Sequence, residues 1–184
     1  MKLKQVVVVG AVAALVLSFS TQALAAGWIY MMVKGQKQGV FRGEVRQKGR
    51  EGTILCHRFQ FADNAVRDPQ SGLPTGQRML QPITITKEWD SSSPQFLQAL
   101  VTNELIPTII FHVWVPREAR GAGEEIMLEK ITLTNAYIIG IRRSYNALGE
   151  PQNYQNALLE EITFGYQRIE ITHTYGGITA ADGR

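Results

Sequence analysis

A chain of 184 residues, 45% hydrophobic and 19% charged, has room for one domain, or at most two small ones, around an ordinary core. Its single cysteine excludes an intrachain disulfide framework and any cysteine-built zinc module. The formal charge of +3 owes much to the first residues: once Lys2 and Lys4 are set apart, 17 basic side chains face 16 acidic ones, a balance that makes no electrostatic case for nucleic-acid binding.

Met1 to Ala25 is read as a separate segment. Lys2 and Lys4 supply a positive start, Val6 to Leu17 is an apolar run broken only by Gly10, and Ala23-Leu24-Ala25 fits a small-x-small cleavage pattern. This is the layout of a secretory signal peptide. The run is short against the ~20 residues of a membrane crossing. The expected division is residues 1–25 as signal and 26–184 as the mature domain, which is exported, periplasmic or secreted, and free of the membrane after cleavage.

Downstream, apolar alternation dominates. Trp28 to Val33 is predicted as a first strand, and a second candidate begins near Val40 and Phe41. Ile54 to Phe61 is a third, and its core parity shifts midway, which predicts a bulge near His57. Ala62 to Gln77 is rich in Asp, Pro, Gly and Ser; a connection of that length is usually functional. Pro82 to Glu88 alternates Ile83 and Ile85 against Thr84 and Thr86, as a pleated strand does.

Ser92-Ser93-Pro94 is a helix start, since a Ser hydroxyl can satisfy an orphan amide and Pro is tolerated in the first turn. The helix cap and core are expected from Ser93, Pro94, Leu97, Leu100 and Val101, within a stripe Phe96, Leu97, Leu100, Val101 and Leu105 that Pro107 ends. Strands follow over Thr108 to Val115, Ile126 to Thr134 and Ala136 to Arg142, with a turn over Arg120 to Glu124. After polar Asn146 to Asn156, a long last strand is expected over Leu158 to His173, with a bulge between Tyr166 and Ile169. The tail from Gly176 is expected to fray. Many short strands and one helix indicate an antiparallel barrel or sandwich with a helix closing one end.

The chain has no nucleophile elbow, zinc-protease helix, P-loop or dinucleotide fingerprint. His57, His112 and His173 lie far apart in predicted strands and do not make a metal set. Cys56 and His57 are adjacent in a strand and point to opposite faces, so Cys56 is read as an apolar filler. The Glu124-Glu125 and Glu160-Glu161 pairs read as solvated strand-end charges. Trp28, Trp89 and Trp114, with the tyrosines, would suit a sugar-stacking face, although several sit at core parity.

Several segments, taken together and in order, resemble the Hcp family, the haemolysin-coregulated tube proteins of bacterial type VI secretion. Val33-Lys34-Gly35-Gln36-Lys37-Gln38-Gly39 followed by Phe41-Arg42-Gly43-Glu44 is similar to the family's opening motif. Arg67-Asp68-Pro69-Gln70-Ser71-Gly72, with Gly76-Gln77-Arg78, resembles its variable long loop. Gln81 to Glu88, then Asp90, Ser92-Ser93-Pro94 and Gln98-Ala99-Leu100, look like its strand-to-helix core. Ile131 to Ala136, Glu160 to Phe164 and Gly176 to Ala180 match later segments.

The resemblance implies a mainly β fold: a small antiparallel β-barrel with one flanking α-helix and a long loop after an early strand. It implies a structural, non-enzymatic subunit without a cofactor. Six copies would close into a ring, and stacked rings would form a hollow tube holding effector proteins and meeting spike and sheath components. Arg67, Asp68, Pro69, Gln70, Ser71, Gly72 and Gly76 would then make the ring-to-ring contact. The segment 1–25 is an addition to the family pattern. The alternative from another class is an exported, monomeric ligand- or carbohydrate-binding β-barrel domain.

Overall fold

Strand alternation decides which side chains meet inside. The computed structural model describes residues 27–64, 67–73, 75, 80–117, 124–145 and 158–183. In β1, Trp28–Gly35, Met31 and Val33 are fully buried; across the ladder they face Phe111 and Ile109 of β5, Ile106–Pro116, which in turn face Ile131 and Leu133 of β6, Glu125–Tyr145. The same parity rule places Ile54 and Cys56 of β3, Ile54–Gln60, and Ile83 and Ile85 of β4, Ile83–Glu88, in one core with Ile162 and Phe164 of β7, Leu158–Gly165. A two-residue β2, Gly39–Val40, folds back on β1.

All strand pairings are antiparallel. β1 pairs with β3, β3 with β4, β4 with β7, β7 with β6, β6 with β5, and β5 with β1 again. The six strands therefore form a closed circuit of hydrogen-bonded neighbours around the core. The expected bulge near His57 is present as a register shift between Cys56 and Arg58.

The expected pair 126–134 and 136–142 is one strand, β6, bent at Asn135, whose φ of 50° puts a non-glycine residue in the left-handed region. The expected last strand is two, β7 and β8 (Arg168–His173), lying end to end along β6 with a break over Tyr166 and Gln167. There the Gln167 amide donates to the Thr134 carbonyl and the Asn135 side chain to Gln167 Oε1, so kink and bulge match across the ladder. The tail expected to fray instead pairs with β8 as β9, Ile178–Gly183, after a turn with Gly177 at φ 63°.

The one described helix, α1, spans Ser93–Val101 and packs against β6. Its inner face is Ser93, Phe96 and Ala99, with Leu100 half-buried beside them. This corrects two expected core positions: Leu97 is 44% exposed and Val101 64%. The sequence offers two adjacent apolar rows, and the buried Ser93 hydroxyl, bonded to Glu160, selects the row containing position 93. Phe96 then meets Phe41 and Phe164 edge-on, with centroids 5.1 and 6.2 Å apart.

The helix also ends earlier than Pro107. The Thr102, Asn103 and Glu104 amides bond back to the Gln98, Leu100 and Ala99 carbonyls, and Asn103 turns the chain out at φ 48°. Pro107 lies near the start of β5, just before its pairing with β1 begins at Thr108, where a missing N–H is tolerated.

Candidate assembly surfaces

The opening motif is a clamped hairpin. Glu104, 1% exposed, extends its carboxylate under the turn between β1 and β2. Oε1 accepts from the Lys37 and Gln38 amides at 2.6 and 2.9 Å, and Oε2 from the Gln38 side chain at 2.8 Å. The Gln36 amide bonds to the Leu105 carbonyl. A Cβ on Gly35 would lie 2.5 Å from Glu104 Oε1, so glycine at that position makes the close approach possible. Burial pushes the Glu104 pKa up, but the Gln38 and Lys37 hydrogen bonds and the Lys37 charge outweigh it, holding the carboxyl below its ordinary value of 4.5.

The helix start is bound to a buried charge cluster. Lys87 and Glu160, both fully buried, are register partners on β4 and β7, with Nζ 2.9 Å from Oε1. Lys87 Nζ also lies 2.7 Å from the Glu88 carbonyl and Asp90 Oδ1, and 3.2 Å from Ser93 Oγ. Ser93 Oγ donates to Glu160 Oε1, and Arg143 bonds Glu160 Oε2 at 2.9 Å and the Ser93 carbonyl at 3.1 Å.

Glu160 is therefore not a solvated strand-end charge as expected; Glu161, 3.9 Å from Arg142, faces outward. The sequence did carry the signal: Lys87 shares the core parity of Ile83 and Ile85, and Glu160 that of Ile162 and Phe164. The helix-cap expectation also changes. Ser92 occupies the N-cap without a side-chain cap bond, its hydroxyl donating to Asp90 Oδ1, while Ser93 and Pro94 begin the helix.

The loop residues Arg67 to Gly72 form a self-braced tip. Asp68 Oδ1 accepts from the Gln70 amide, the Ser71 amide and the Ser71 hydroxyl at 2.9, 2.7 and 3.0 Å. These bonds, those from Ser71 foremost, hold its carboxyl below the usual 3.8. The Asp68 amide bonds the Leu73 carbonyl, the Gly72 amide the Asp68 carbonyl, and Arg67 Nη1 the Gly72 carbonyl. Pro69, Gln70 and Leu73 project outward. Gly76 lies outside the described residues.

On the outer face of β1 and β5, an apolar groove of about 440 Å³ is lined by Met32, Val40, Phe41, Thr108 and Ile110, with Lys34 and Glu51 at hand. The remaining candidate chemistry is scattered or already used. Cys56 is buried, and burial is the main cause that pushes its thiol up to about 12. His57 turns outward to Glu88. His112 is held below its ordinary value by burial, then by Lys130 and Arg50. No cluster of metal-ligating side chains occurs among the described residues. Of the aromatic groups, Trp114 is covered by the Arg50 guanidinium at 3.8 Å and Trp89 faces Arg143 at 5.4 Å.

The comparisons agree with this architecture. The family model described as the type VI secretion system effector Hcp matches residues 30–173. A protein of Pseudomonas aeruginosa described as a major exported protein is 32% identical over 162 residues, covering 83% of this chain and 92% of its own. The crystal structure of an Hcp protein superposes with a TM-score of 0.76 at 24% identity, covering 86% of this chain and 98% of its own. The Hcp1 protein of E. coli EAEC 042 superposes with 0.72 at 25% identity, covering 86% and 99%. A match running from β1 to the end of β8, on a closed antiparallel circuit with one helix, makes this chain a member of the Hcp family of type VI secretion tube proteins.

Proposed function

We propose that this chain is a non-enzymatic tube subunit that closes into a homohexameric ring, and that stacked rings form a hollow tube able to hold effector proteins and to meet spike and sheath components. The observation that carries the reading is the family match over residues 30–173, which takes in both candidate assembly surfaces, the loop tip and the groove. The ring is a head-to-tail assembly, in which different patches of identical subunits meet and the rotation closes. The Arg67 to Gly72 tip, with Gly76, is assigned to the contact between rings; its internal bonds shape it before any partner arrives, which lowers the ordering cost of contact.

Residues 1–25 are assigned as a cleavable export signal and 26–184 as the mature domain, delivered to the periplasm or beyond. The three-part layout of that segment supports this. The deciding measurement is the native mass of the chain from Ala26 by light scattering, with negative-stain images of the same sample. Six-subunit particles with a central hole, or stacks of them, are expected. A monomer at every concentration overturns the ring and favours an exported binding domain. N-terminal sequencing of exported protein tests the signal: a first residue other than Ala26 overturns the assigned cleavage.

A further inference from the structure

The barrel circuit uses both edges of its six strands, but the sheet built on it still has two ends. Read from β2, the strand order on one side is β2, β1, β5, β6, β8, β9. β9 is four strands beyond β1, roughly 19 Å at the ~4.8 Å spacing of paired strands. It bonds β8 along one edge, and its other edge pairs with no strand among the described residues. Nothing blunts that edge: its sequence, Ile-Thr-Ala-Ala-Asp-Gly, contains no Lys, Arg or Pro, and its register with β8 runs without a bulge. Natural proteins cover or guard such edges. Five of its six residues are exposed, and Ile178 is 71% exposed, so β9 adds little to the protomer's own core.

At the opposite end of the same sheet lies the apolar groove. Its floor is Met32 and Ile110, register partners on β1 and β5 that share the outward parity, and its rim is Val40, 61% exposed. One end of the sheet thus carries a projecting apolar edge and the other an apolar recess. Two unlike patches at opposite ends of one sheet are what a head-to-tail contact requires; an isologous dimer needs a single patch that matches itself.

We propose that the ring contact is made by β9 of one copy against the β1–β2 groove of the next, with Ile178 entering beside Val40 and Ile110. This rests on the ring reading above and assigns its faces.

The test is cysteine pairing in protein expressed from the full chain. Cys56 is buried, so the background is low. Under mild oxidation Val40→Cys/Ile178→Cys is expected to give a ladder of covalent oligomers on a non-reducing gel, and either single variant none. Ile178→Asp, at an exposed position, is expected to keep the thermal midpoint of the folded protomer and to shift the native mass to that of one subunit. If the unsubstituted protein forms rings while the double variant gives no ladder and Ile178→Asp still forms rings, the assignment of faces is overturned and the ring stands. Covalent dimers from Ile178→Cys alone also overturn it, because β9 would then meet β9. If the unsubstituted protein is monomeric throughout, the ring reading fails and this inference fails with it.

Discussion

Two buried carboxylates, Glu104 and Glu160, do most of the polar work inside this protein, and their chemistry predicts different responses. Glu104 holds the β1–β2 turn through three hydrogen bonds. Because its folded pKa lies below 4.5, the stability it lends is complete above about pH 4.5 and drains as the pH falls towards the folded value. Glu104→Gln is expected to cost about 1–3 kcal/mol at pH 7, the loss of hydrogen bonds to a charged group. The gap between the two proteins should narrow on acidification below pH 4.5, read from urea unfolding at each pH. A gap independent of pH would remove the charge from the explanation. Glu160 is paired with Lys87. Removing one partner strands the other, so Glu160→Ala should cost about 3–5 kcal/mol. Lys87→Met/Glu160→Leu should cost less than the sum of its single substitutions; an additive double-mutant cycle would show that the pair does not act as a unit.

At the level of elements, helix α1 shows how a polar anchor overrides an apolar stripe. Phe96→Ala in the isolated protomer should cost about 3–5 kcal/mol, whereas Leu97→Ala, at an exposed position, should stay within about 0.5 kcal/mol. Equal losses in chemical denaturation would mean that the helix is rotated from the orientation described. The strands with strong β-branched alternation were legible in the sequence: β1, β3 with its bulge, β4, β5, and the junction between β7 and β8. Three features were not. The inner face of α1 depends on a bond from Ser93 to Glu160, 67 residues away. The continuity of β6 depends on Asn135 tolerating a left-handed conformation opposite a bulge in another strand. β9 is made of small residues of low strand propensity and forms because β8 offers it an edge. In each case a partner distant in sequence decides the outcome. The loop tip was located by composition, but the bonds from Asp68 that brace it are visible only in the fold. Glu104 carried no local signal beyond the glycine at position 35 that it approaches.

For the whole molecule, the closed strand circuit bears on how assembly and folding are linked. Since the barrel strands satisfy one another's edges, the protomer keeps its core without a neighbour, and contacts between rings can be weakened without unfolding subunits. The Arg67 to Gly72 tip is the place to test that separation. Gln70 is exposed, and its side chain takes no part in the bonds that brace the tip, which use its amide. Gln70→Arg and Gln70→Glu place opposite charges at the same point while leaving Asp68 and Ser71 in position. If the tip forms the ring-to-ring contact, both variants should shift the population from tubes towards single rings in sedimentation velocity and negative stain, with unchanged thermal unfolding of the protomer. Loss of rings together with tubes would place the tip in the contact between subunits instead. Tubes as long and as abundant as those of the unsubstituted chain would remove the loop from stacking altogether. An effect of only one of the two charges would mean that the facing surface carries a charge of its own, and its sign would identify it.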